Sequence, residues 1–363
     1  MTEHDFIPKP YTITKQTGKV SWESPSNIAL VKYWGKKKDQ IPENPSISFT
    51  LNNCKTITTL SYTPKENNTD YSFEVFLDGD KKDDFKPKIE TFFERIEAYL
   101  PFLRQFHFKI ETHNTFPHSS GIASSASGMS ALALCLMSVE KDLSTALDVT
   151  KEYFNTKASF LARLGSGSAC RSIEGDLIVW GNTESIVGST DLYGVKYPYA
   201  VHDNFKQYQD TILLVDKGEK QVSSTVGHNL MHGHPFAQNR FNQAHENMAK
   251  IKSILASGNL KAFIALMESE ALTLHAMMMT SMPYFILMKP NTLEIINKIW
   301  AYRKKSGLHI GFTLDAGANV HVLYPKNESG EILEFIQHEL VAYCKNGEYI
   351  CDEIGFGANQ LDF

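Results

Sequence analysis

The sequence predicts an α+β fold, and two observations on the order of its segments support this prediction. Segments in which polar and apolar residues alternate, as is typical of half-buried strands, are concentrated before about residue 115. Long segments with helical periodicity dominate the second half, so strands and helices do not alternate as they do in a doubly wound sheet. Hydrophobic residues make up 42% of the chain and charged residues 21%, which is ordinary for a globular protein and excludes a disordered one.

The first part of the chain is predicted to form mainly strands. The predicted strands are Val20–Ser24, Ser46–Leu51, Thr56–Tyr62, Tyr71–Leu77 and Phe106–His113. The first of these is expected to end at Pro25, and one helix, Phe85–Leu100, is expected before the fifth. The charge-rich run Asp78–Lys88 is interpreted as a solvated loop between a strand and a helix.

The rest of the chain is predicted to form helices with a few short strands. The predicted helices are Ser125–Val139, Thr145–Arg163, Phe236–Ala256, Leu260–Met279, Thr292–Ser306 and Glu331–Lys345. The predicted strands are Leu177–Trp180, Ile212–Val215, Gly311–Leu314 and Val320–Tyr324. A polar, weakly periodic stretch over residues 185–210 predicts a domain boundary, so we expect domains at residues 1–200 and 201–363.

Charge and cysteine content exclude several classes of protein. With 36 Lys and Arg against 41 Asp and Glu, the net charge is −5, so no nucleic-acid partner is expected. The five cysteines are scattered without a CxxC pair, and the 13 histidines show no ligand spacing. We therefore expect no disulfide framework, no metal held by the protein itself, and a reducing cytoplasmic location.

No membrane association is expected either. The longest uncharged stretch, His113–Val139, contains an apolar run of only 11 residues, Met129–Val139. A membrane-spanning helix needs about 20 such residues. The first ten residues carry acids and prolines and lack the apolar core of a signal peptide.

A Ser/Gly-rich segment, Phe116–Gly128 (FPHSSGIASSASG), leads from a strand into an apolar helix. Small residues let a ligand approach the backbone, and the unpaired N–H groups at a helix N-terminus favour an anion such as phosphate. A plain Ser/Gly connection with a serine N-cap would have the same composition. The segment matches neither the Walker A loop nor the GxGxxG dinucleotide motif.

Two further segments combine cations with small residues. In Ala162–Trp180 the flexible turn Gly165-Ser-Gly-Ser is followed by Arg171, whose planar guanidinium can hold a phosphate or a carboxylate. In Ser24–Lys36 the cations Lys32 and Lys36 flank an aromatic pair and could bind an anion. A surface loop and a cationic sheet edge are the alternatives.

A fourth segment, Phe312–Val322, places Asp315 between two apolar runs. An acid there is either a turn residue or a carboxylate aimed into a cleft, where it could act as a general base or orient a hydroxyl. A fifth segment, Leu214–Thr225, ends in Ser223-Ser-Thr, which could cap the next helix.

Taken together and in order, these segments resemble the diphosphomevalonate decarboxylases, a branch of the GHMP kinase superfamily. The strings that carry the resemblance are SNIALVKYWGK at 26–36, SISFTL at 46–51, SGIASSASG at 120–128, GSGSACRS at 165–172, VSST at 222–225 and LDAGAN at 314–319. The resemblance implies an N-terminal ribosomal-S5-like domain with a left-handed βαβ unit and a ferredoxin-like C-terminal domain. It also implies an active site in the cleft between the two domains.

The resemblance further implies an activity and a set of site residues. The activity is the ATP-dependent decarboxylation of mevalonate 5-diphosphate to isopentenyl diphosphate, carbon dioxide, phosphate and ADP, with phosphorylation of the 3-hydroxyl on the way. ATP and Mg²⁺ are the implied cofactors, and a cytoplasmic homodimer is expected. The implied catalytic residues are Lys32, Arg171 and Asp315. The implied substrate-binding residues are Tyr33, Trp34, Gly35, Lys36, Ser166, Gly167, Ser168, Ala169, Cys170, Arg171 and Thr225. The implied nucleotide-binding residues are Ser120, Gly121, Ala123, Ser124 and Ser125.

The chain departs from the family pattern in two places. Relatives usually read FPTAAGLASSAAG where this chain has His118 and Ser119, and the stretch SFEVFLDGD lacks an Arg that many relatives carry before the end of that strand. A decarboxylase acting on the 5-monophosphate, which needs fewer cations, is therefore the alternative. A small-molecule kinase without decarboxylation is a further alternative, against which the NIALVKYWGK string and Asp315 in its late position argue. A non-catalytic nucleotide-binding paralogue is another, against which the retained Lys32, Arg171 and Asp315 argue.

Overall fold

The computed structural model describes residues 1–66, 69–117, 122–144, 149–216 and 224–362, and it confirms the α+β prediction. The strands of its larger sheet are β1 (Gly18–Val31), β2 (Ser46–Pro64), β3 (Ser72–Leu77), β4 (Asp80–Lys81), β5 (Phe106–Asn114), β6 (Leu177–Trp180), β7 (Val195–Lys196) and β12 (Asn359–Leu361). They are ordered β12–β1–β2–β5–β3–β4, and β6 pairs with both β2 and β7.

A second, antiparallel sheet is ordered β11–β8–β10–β9. Its strands are β8 (Gln209–Leu213), β9 (Gly311–Thr313), β10 (Val320–Tyr324) and β11 (Tyr349–Glu353). The α-helices of the described chain are α1 (Lys86–Ile96), α2 (Ser124–Leu143), α3 (Lys151–Gly165), α4 (Ser224–Asn229), α5 (Ala237–Ser257), α6 (Leu260–Met279), α7 (Pro290–Ser306) and α8 (Ser329–Phe335).

The first strand is longer than predicted, since it continues through Pro25 to Val31. Proline cannot donate a ladder hydrogen bond, but the pairing of β1 with β2 shifts register between Pro25 and Asn27, and a proline is tolerated at such an irregularity. The expectation that the strand ends at Pro25 was therefore wrong. As a consequence, Lys32 directly follows a buried strand.

The second and third predicted strands are one strand, β2. The polar residues that separate them stay extended because the Asp352 carboxylate accepts hydrogen bonds from the backbone N–H groups of Asn52 (2.9 Å), Asn53 (2.8 Å) and Cys54 (2.8 Å). The start of β2 pairs with β6, and its later part pairs with β5. This long strand therefore connects the two branches of the larger sheet, β5–β3–β4 and β6–β7.

Strands β3 and β5 are parallel and are connected through α1, so they form a βαβ unit. The run Asp78–Lys88, interpreted as a loop, contains β4 and the first residues of α1. Helices α1, α2 and α3 cover this side of the sheet with one apolar core, to which Phe93, Leu136 and Phe160 belong. Helix α3 starts six residues later than predicted, at Lys151, because the Thr150 side chain caps it; residues 145–148 lie outside the described part.

Helices α5 and α6 pack on β1 and β2, sharing a core that includes Leu30, Phe49, Met248 and Phe263. By length and composition α6 could cross a membrane, but 61% of its most apolar window is buried inside the protein. Helices α7 and α8 pack on the second sheet with Ile295 and Ile332 in their core. The last predicted helix, Glu331–Lys345, begins as α8 and continues as a π-helical turn over Ile336–Leu340 and a 3₁₀ turn over Val341–Tyr343.

Several short strands were not predicted: β4, β7, β11 and β12. The last of them returns to the first sheet, where Trp22 pairs with Gln360. The division into domains at residues 1–200 and 201–363 stays a prediction.

Candidate active site

The Ser, Gly, Lys and Asp segments singled out in the sequence surround one cavity of about 610 Å³. Its walls come from strands β1, β2, β3 and β5, the residues after β1, the start of α2, the 3₁₀ turn Gly167–Ser172, helices α1, α4 and α6, and the turn between β9 and β10. The predicted site residues that line it are Lys32, Tyr33, Trp34, Lys36, Ala123, Ser124, Ser125, Ser166, Gly167, Ser168, Arg171 and Asp315.

The remaining predicted residues lie elsewhere. Ala169 and Cys170 are buried in the 3₁₀ turn behind the cavity wall. Gly35 has φ +94°, and a Cβ there would come within 3.1 Å of two neighbouring side chains, so glycine is required for the chain to turn into the cavity. Ser120 and Gly121 lie outside the described residues, and so does the side chain of Thr225.

Lys32 and Asp315, the two catalytic candidates that lie furthest apart in the sequence, form an ion pair. Lys32 Nζ lies 2.9 Å from Asp315 Oδ1, with the lysine side chain 2% exposed and the aspartate side chain 26% exposed. A buried ammonium is stable only beside an anion, and this one therefore favours the ionised form of the carboxylate. The arrangement places the Asp315 carboxylate at the edge of the cavity.

The main chain of Lys32 is held by a fully buried ion pair between α5 and α6. Glu270 Oε2 accepts a hydrogen bond from the Lys32 N–H at 2.8 Å, and Arg240 donates to the Lys32 carbonyl at 2.9 Å. Arg240 and Glu270 contact each other at 2.5 Å, and Asn44 donates a second hydrogen bond to the Lys32 carbonyl at 2.9 Å. Both backbone groups of Lys32 are thus fixed by buried partners.

The same helix α6 also fixes Asp315. His275, five residues after Glu270, lies with Nε2 3.1 Å from the Asp315 carbonyl oxygen. Burial lowers the pKa of His275 to about 4, so the ring is neutral at pH 7 and its Nε2–H must be the donor. Helix α6 therefore contacts the backbone on both sides of the Lys32–Asp315 ion pair.

Arg171 is buried at the back of the cavity. Its Nη1 donates to Ser46 Oγ, and its Nε donates to Asn27 Oδ1 at 3.3 Å. Within the described residues its Nη2 has no hydrogen-bond partner, so this nitrogen can donate to a ligand. Burial lowers the pKa of the guanidinium, which nevertheless stays charged because an arginine pKa lies so far above neutrality.

The Tyr33 hydroxyl is buried and has no hydrogen-bond partner among the described residues. Its ring packs edge-on against Trp180, with centroids 4.7 Å apart, and a Cβ at Gly167 would lie 3.0 Å from the hydroxyl oxygen. Burial raises the pKa of this phenol, so it remains a donor. A buried donor without a partner is costly unless a ligand supplies the acceptor.

The start of α2 offers a second set of donors. The helix begins at Ser124, after Ala123 in the left-handed region at φ +43°, and Ser125 Oγ lies 3.4 Å from Ser166 Oγ across the cavity wall. The N–H groups of a first helical turn have no partner within the helix and point out of its N-terminus, which suits a phosphate group. Gly128 also lines the cavity, one turn into the helix.

Cations gather near Lys36, whose Nζ donates to Gln40 at 3.2 Å. Burial lowers the pKa of Lys36, and the positive charges of Arg95 and Lys88 lower it further. Lys88 also lines the cavity, and no acidic partner is present for it in the described chain. Lys88 belongs to the run interpreted as a solvated loop. Its position at the cavity was not predicted, because its neighbours in the sequence are charged residues typical of a surface.

Other site residues were also missed from the sequence: Asn27, Asn44, His228, Arg240, Glu270 and His275. The last three lie in helices whose polar residues fit ordinary amphipathic periodicity, and only the packing of α5 and α6 on β1 brings them to Lys32. The sequence offered one signal for His228, which is that it lies three residues after the Ser/Thr run that ends the candidate segment Leu214–Thr225. Within the described residues no cluster of three or more His, Cys, Asp and Glu could hold a metal ion.

Two protein-family models together match most of the chain. Residues 24–192 match the model described as the diphosphomevalonate decarboxylase-like N-terminal domain. Residues 211–355 match that of the mevalonate 5-diphosphate decarboxylase C-terminal domain. The two models belong to the two halves of one protein type and follow each other here in that order.

Individual relatives agree with these matches. A diphosphomevalonate decarboxylase of Ganoderma lucidum is 29% identical over 92% of this chain and 84% of its own. The Bos taurus diphosphomevalonate decarboxylase is 26% identical over 88% of this chain and 80% of its own. Mevalonate diphosphate decarboxylase from Staphylococcus aureus superposes with a TM-score of 0.80 at 26% identity, over 96% of this chain and 99% of its own. The GHMP kinase fold implied by the resemblance is thus confirmed, and the chain belongs to the diphosphomevalonate decarboxylase family.

Proposed function

We propose that this protein catalyses the ATP-dependent decarboxylation of mevalonate 5-diphosphate to isopentenyl diphosphate, carbon dioxide, phosphate and ADP. The observation that carries the proposal is the Lys32–Asp315 ion pair at the edge of a cavity that also holds Arg171 and the N-terminus of α2. A related protein of the same fold, MDDEF, has been solved in complex with MVAPP, AMPPCP and magnesium, with a TM-score of 0.80 over 96% of this chain and 24% identity.

Asp315 acts on the tertiary 3-hydroxyl of the substrate. Water is a poor leaving group, so this hydroxyl has to become a phosphate ester before it can depart. The carboxylate orients the hydroxyl towards the γ-phosphorus of ATP and accepts its proton as the new P–O bond forms. Lys32 keeps the carboxylate ionised, and its own fixed backbone keeps the carboxylate oxygen in place.

The phosphate then leaves with the electrons of the C3–O bond, and positive charge develops at C3. The C1–C2 bond breaks, its electrons form the new C2–C3 double bond, and the carboxylate is released as carbon dioxide. Arg171 binds the carboxylate through its remaining N–H groups until this step, and the charge of Asp315 stabilises the developing cation.

ATP is placed by the start of α2. The first-turn N–H groups and the hydroxyls of Ser124 and Ser125 bind its phosphates. Mg²⁺ bound with ATP would neutralise phosphate charge during the transfer. Tyr33, Lys36, Ser166 and the 3₁₀ turn Gly167–Ser172 bind the 5-diphosphate, with the Thr225 side chain as a further proposed contact.

The test is an assay of the purified protein with ATP and Mg²⁺ and either the 5-diphosphate or the 5-monophosphate of mevalonate. The proposal predicts equal amounts of carbon dioxide and ADP from the diphosphate and much less of both from the monophosphate. ADP without carbon dioxide would point to a kinase instead. We further propose a cytoplasmic homodimer, for which the molar mass in solution, measured by light scattering, is the check.

A further inference from the structure

His228, on helix α4, lines the cavity and has no part in the chemistry described above. The residue is 8% exposed, and its ring lies against two aromatic rings. The ring centroid is 4.3 Å from that of Tyr33 and 4.5 Å from that of Trp34. With these contacts on its ring, the imidazole can reach the cavity only with an edge.

The hydrogen bonding of the ring fixes its tautomer. The Gly35 backbone N–H donates to Nδ1 at 3.0 Å, so Nδ1 carries a lone pair. Burial lowers the pKa of His228 to about 3, with further lowering by the positive charges of Lys36 and Arg171, and the ring is neutral at pH 7. A neutral imidazole with Nδ1 as acceptor has its proton on Nε2.

The Nε2–H donor has no acceptor in the part of the chain that the structure describes. Its neighbours at this corner of the cavity are also donors: the Tyr33 hydroxyl, Arg171 and Lys36. This corner of the cavity, lined by donors and cations, suits an oxygen-rich anion, because an acceptor can satisfy them together. A phosphate group has the required oxygens and charge.

We propose that His228 is a substrate-binding residue whose Nε2–H donates a hydrogen bond to a phosphate oxygen of the diphosphate substrate. This inference rests on the proposed function and adds a neutral donor to the cations of its diphosphate site. A neutral donor contributes to affinity through geometry rather than charge. It therefore depends on which atom of the ring carries the proton, and that is set by Gly35.

Two substitutions separate the two nitrogens of the ring. In His228→Asn the amide oxygen can take the place of Nδ1 and accept from Gly35, while the donor at the Nε2 position is lost. In His228→Gln an amide N–H can reach the Nε2 position, while the acceptor for Gly35 is lost. His232→Asn is the matched control, because His232 is an exposed histidine just after the same helix.

The measurements are kcat and KM for mevalonate diphosphate and for ATP, together with the affinity for inorganic pyrophosphate by calorimetry. We expect His228→Asn to raise the KM for the diphosphate and weaken pyrophosphate binding by about ten- to a hundredfold, the usual loss for a hydrogen bond to a charged group. His228→Gln should recover most of this loss, and the KM for ATP should stay within about threefold in both variants.

The opposite ranking, with His228→Asn like wild type and His228→Gln impaired, would mean that only the Gly35 contact matters and would overturn the proposal. A change confined to the KM for ATP would overturn it as well. If His228→Asn fails to fold, His228→Gln is compared with His228→Ala, and equal KM values for these two count against the proposal. Carbon dioxide release by the wild type is measured first, so a failure of the proposed reaction is recognised separately.

Discussion

The substitution Asp315→Asn tests the centre of the proposed mechanism with little change of shape. The amide keeps an oxygen that Lys32 Nζ, now 2.9 Å from the carboxylate, can still contact. It removes the charge and the proton acceptor. Loss of a general base costs about 10²- to 10⁴-fold in turnover, or about 3–5 kcal/mol at 1.36 kcal/mol for each factor of ten. We expect kcat to fall by at least the lower of these factors.

The cost in stability should be much smaller. Removing one partner of a fully buried ion pair costs about 3–5 kcal/mol, but Asp315 is 26% exposed and the amide oxygen remains. We therefore expect a loss of about 1–2 kcal/mol, which lowers the thermal midpoint by about 1–3 °C in a chain of this size.

The assay combines carbon dioxide release with ATP binding by calorimetry and a thermal unfolding curve. ATP affinity should stay within about threefold of wild type. Asp203→Asn is the control, since Asp203 forms an exposed pair with Lys206 at 2.7 Å, far from any catalytic role. Turnover of Asp315→Asn within about fivefold of that control would refute the reasoning and leave Asp315 as a turn residue.

Three further predictions concern the walls of the cavity. Arg171→Lys should lower kcat/KM for the acid substrate by about ten- to a hundredfold without changing ATP affinity, because a lysine cannot reproduce the contacts to Ser46 and Asn27 and still donate to a ligand; unchanged kinetics would exclude the proposed role. His275→Leu should lower kcat about tenfold with little change in KM. His275→Gln can still donate to the Asp315 carbonyl, so its kcat should be closer to that of the wild type; equal losses of kcat in the two variants would indicate that His275 contributes only by packing. Burial and neighbouring cations lower the pKa of Lys36, so kcat/KM should fall as the pH rises towards, but still below, the usual pKa range of lysine, because the cation loses its proton there. Lys36→Arg should move that fall to higher pH, and a pH profile that the substitution does not move would contradict this reasoning.

The chemistry-bearing segments could be predicted from the sequence because each is short and local. The segments 32–36, 123–125 and 166–171, together with Asp315, combine small residues with hydroxyl and charged side chains, and their order is that of one family. The positions of α6, β3 and β10 could also be predicted, since their periodicity or alternation continues through the whole element.

The supporting residues could not be predicted, and the reason is physical. Glu270 is one of two acidic residues in α6, and nothing in the local sequence reveals that Arg240, thirty positions earlier, pairs with it in complete burial. The extension of β1 past Pro25 depends on an irregularity in pairing with β2, which the sequence of one strand does not specify. Lys88 was hidden for the opposite reason, because the charged residues around it are those of a surface.

The hydrogen bonds from α6 to the backbone of both Lys32 and Asp315 limit how these two residues can move. Any movement that separates these two residues must break the buried contacts of Glu270 or the hydrogen bond of His275, which makes this side of the cavity behave as a single rigid body. We expect any opening or closing of the cavity to take place between this rigid body and the opposite wall, made by α1 and the start of α2, so that the ion pair meets each new substrate already assembled.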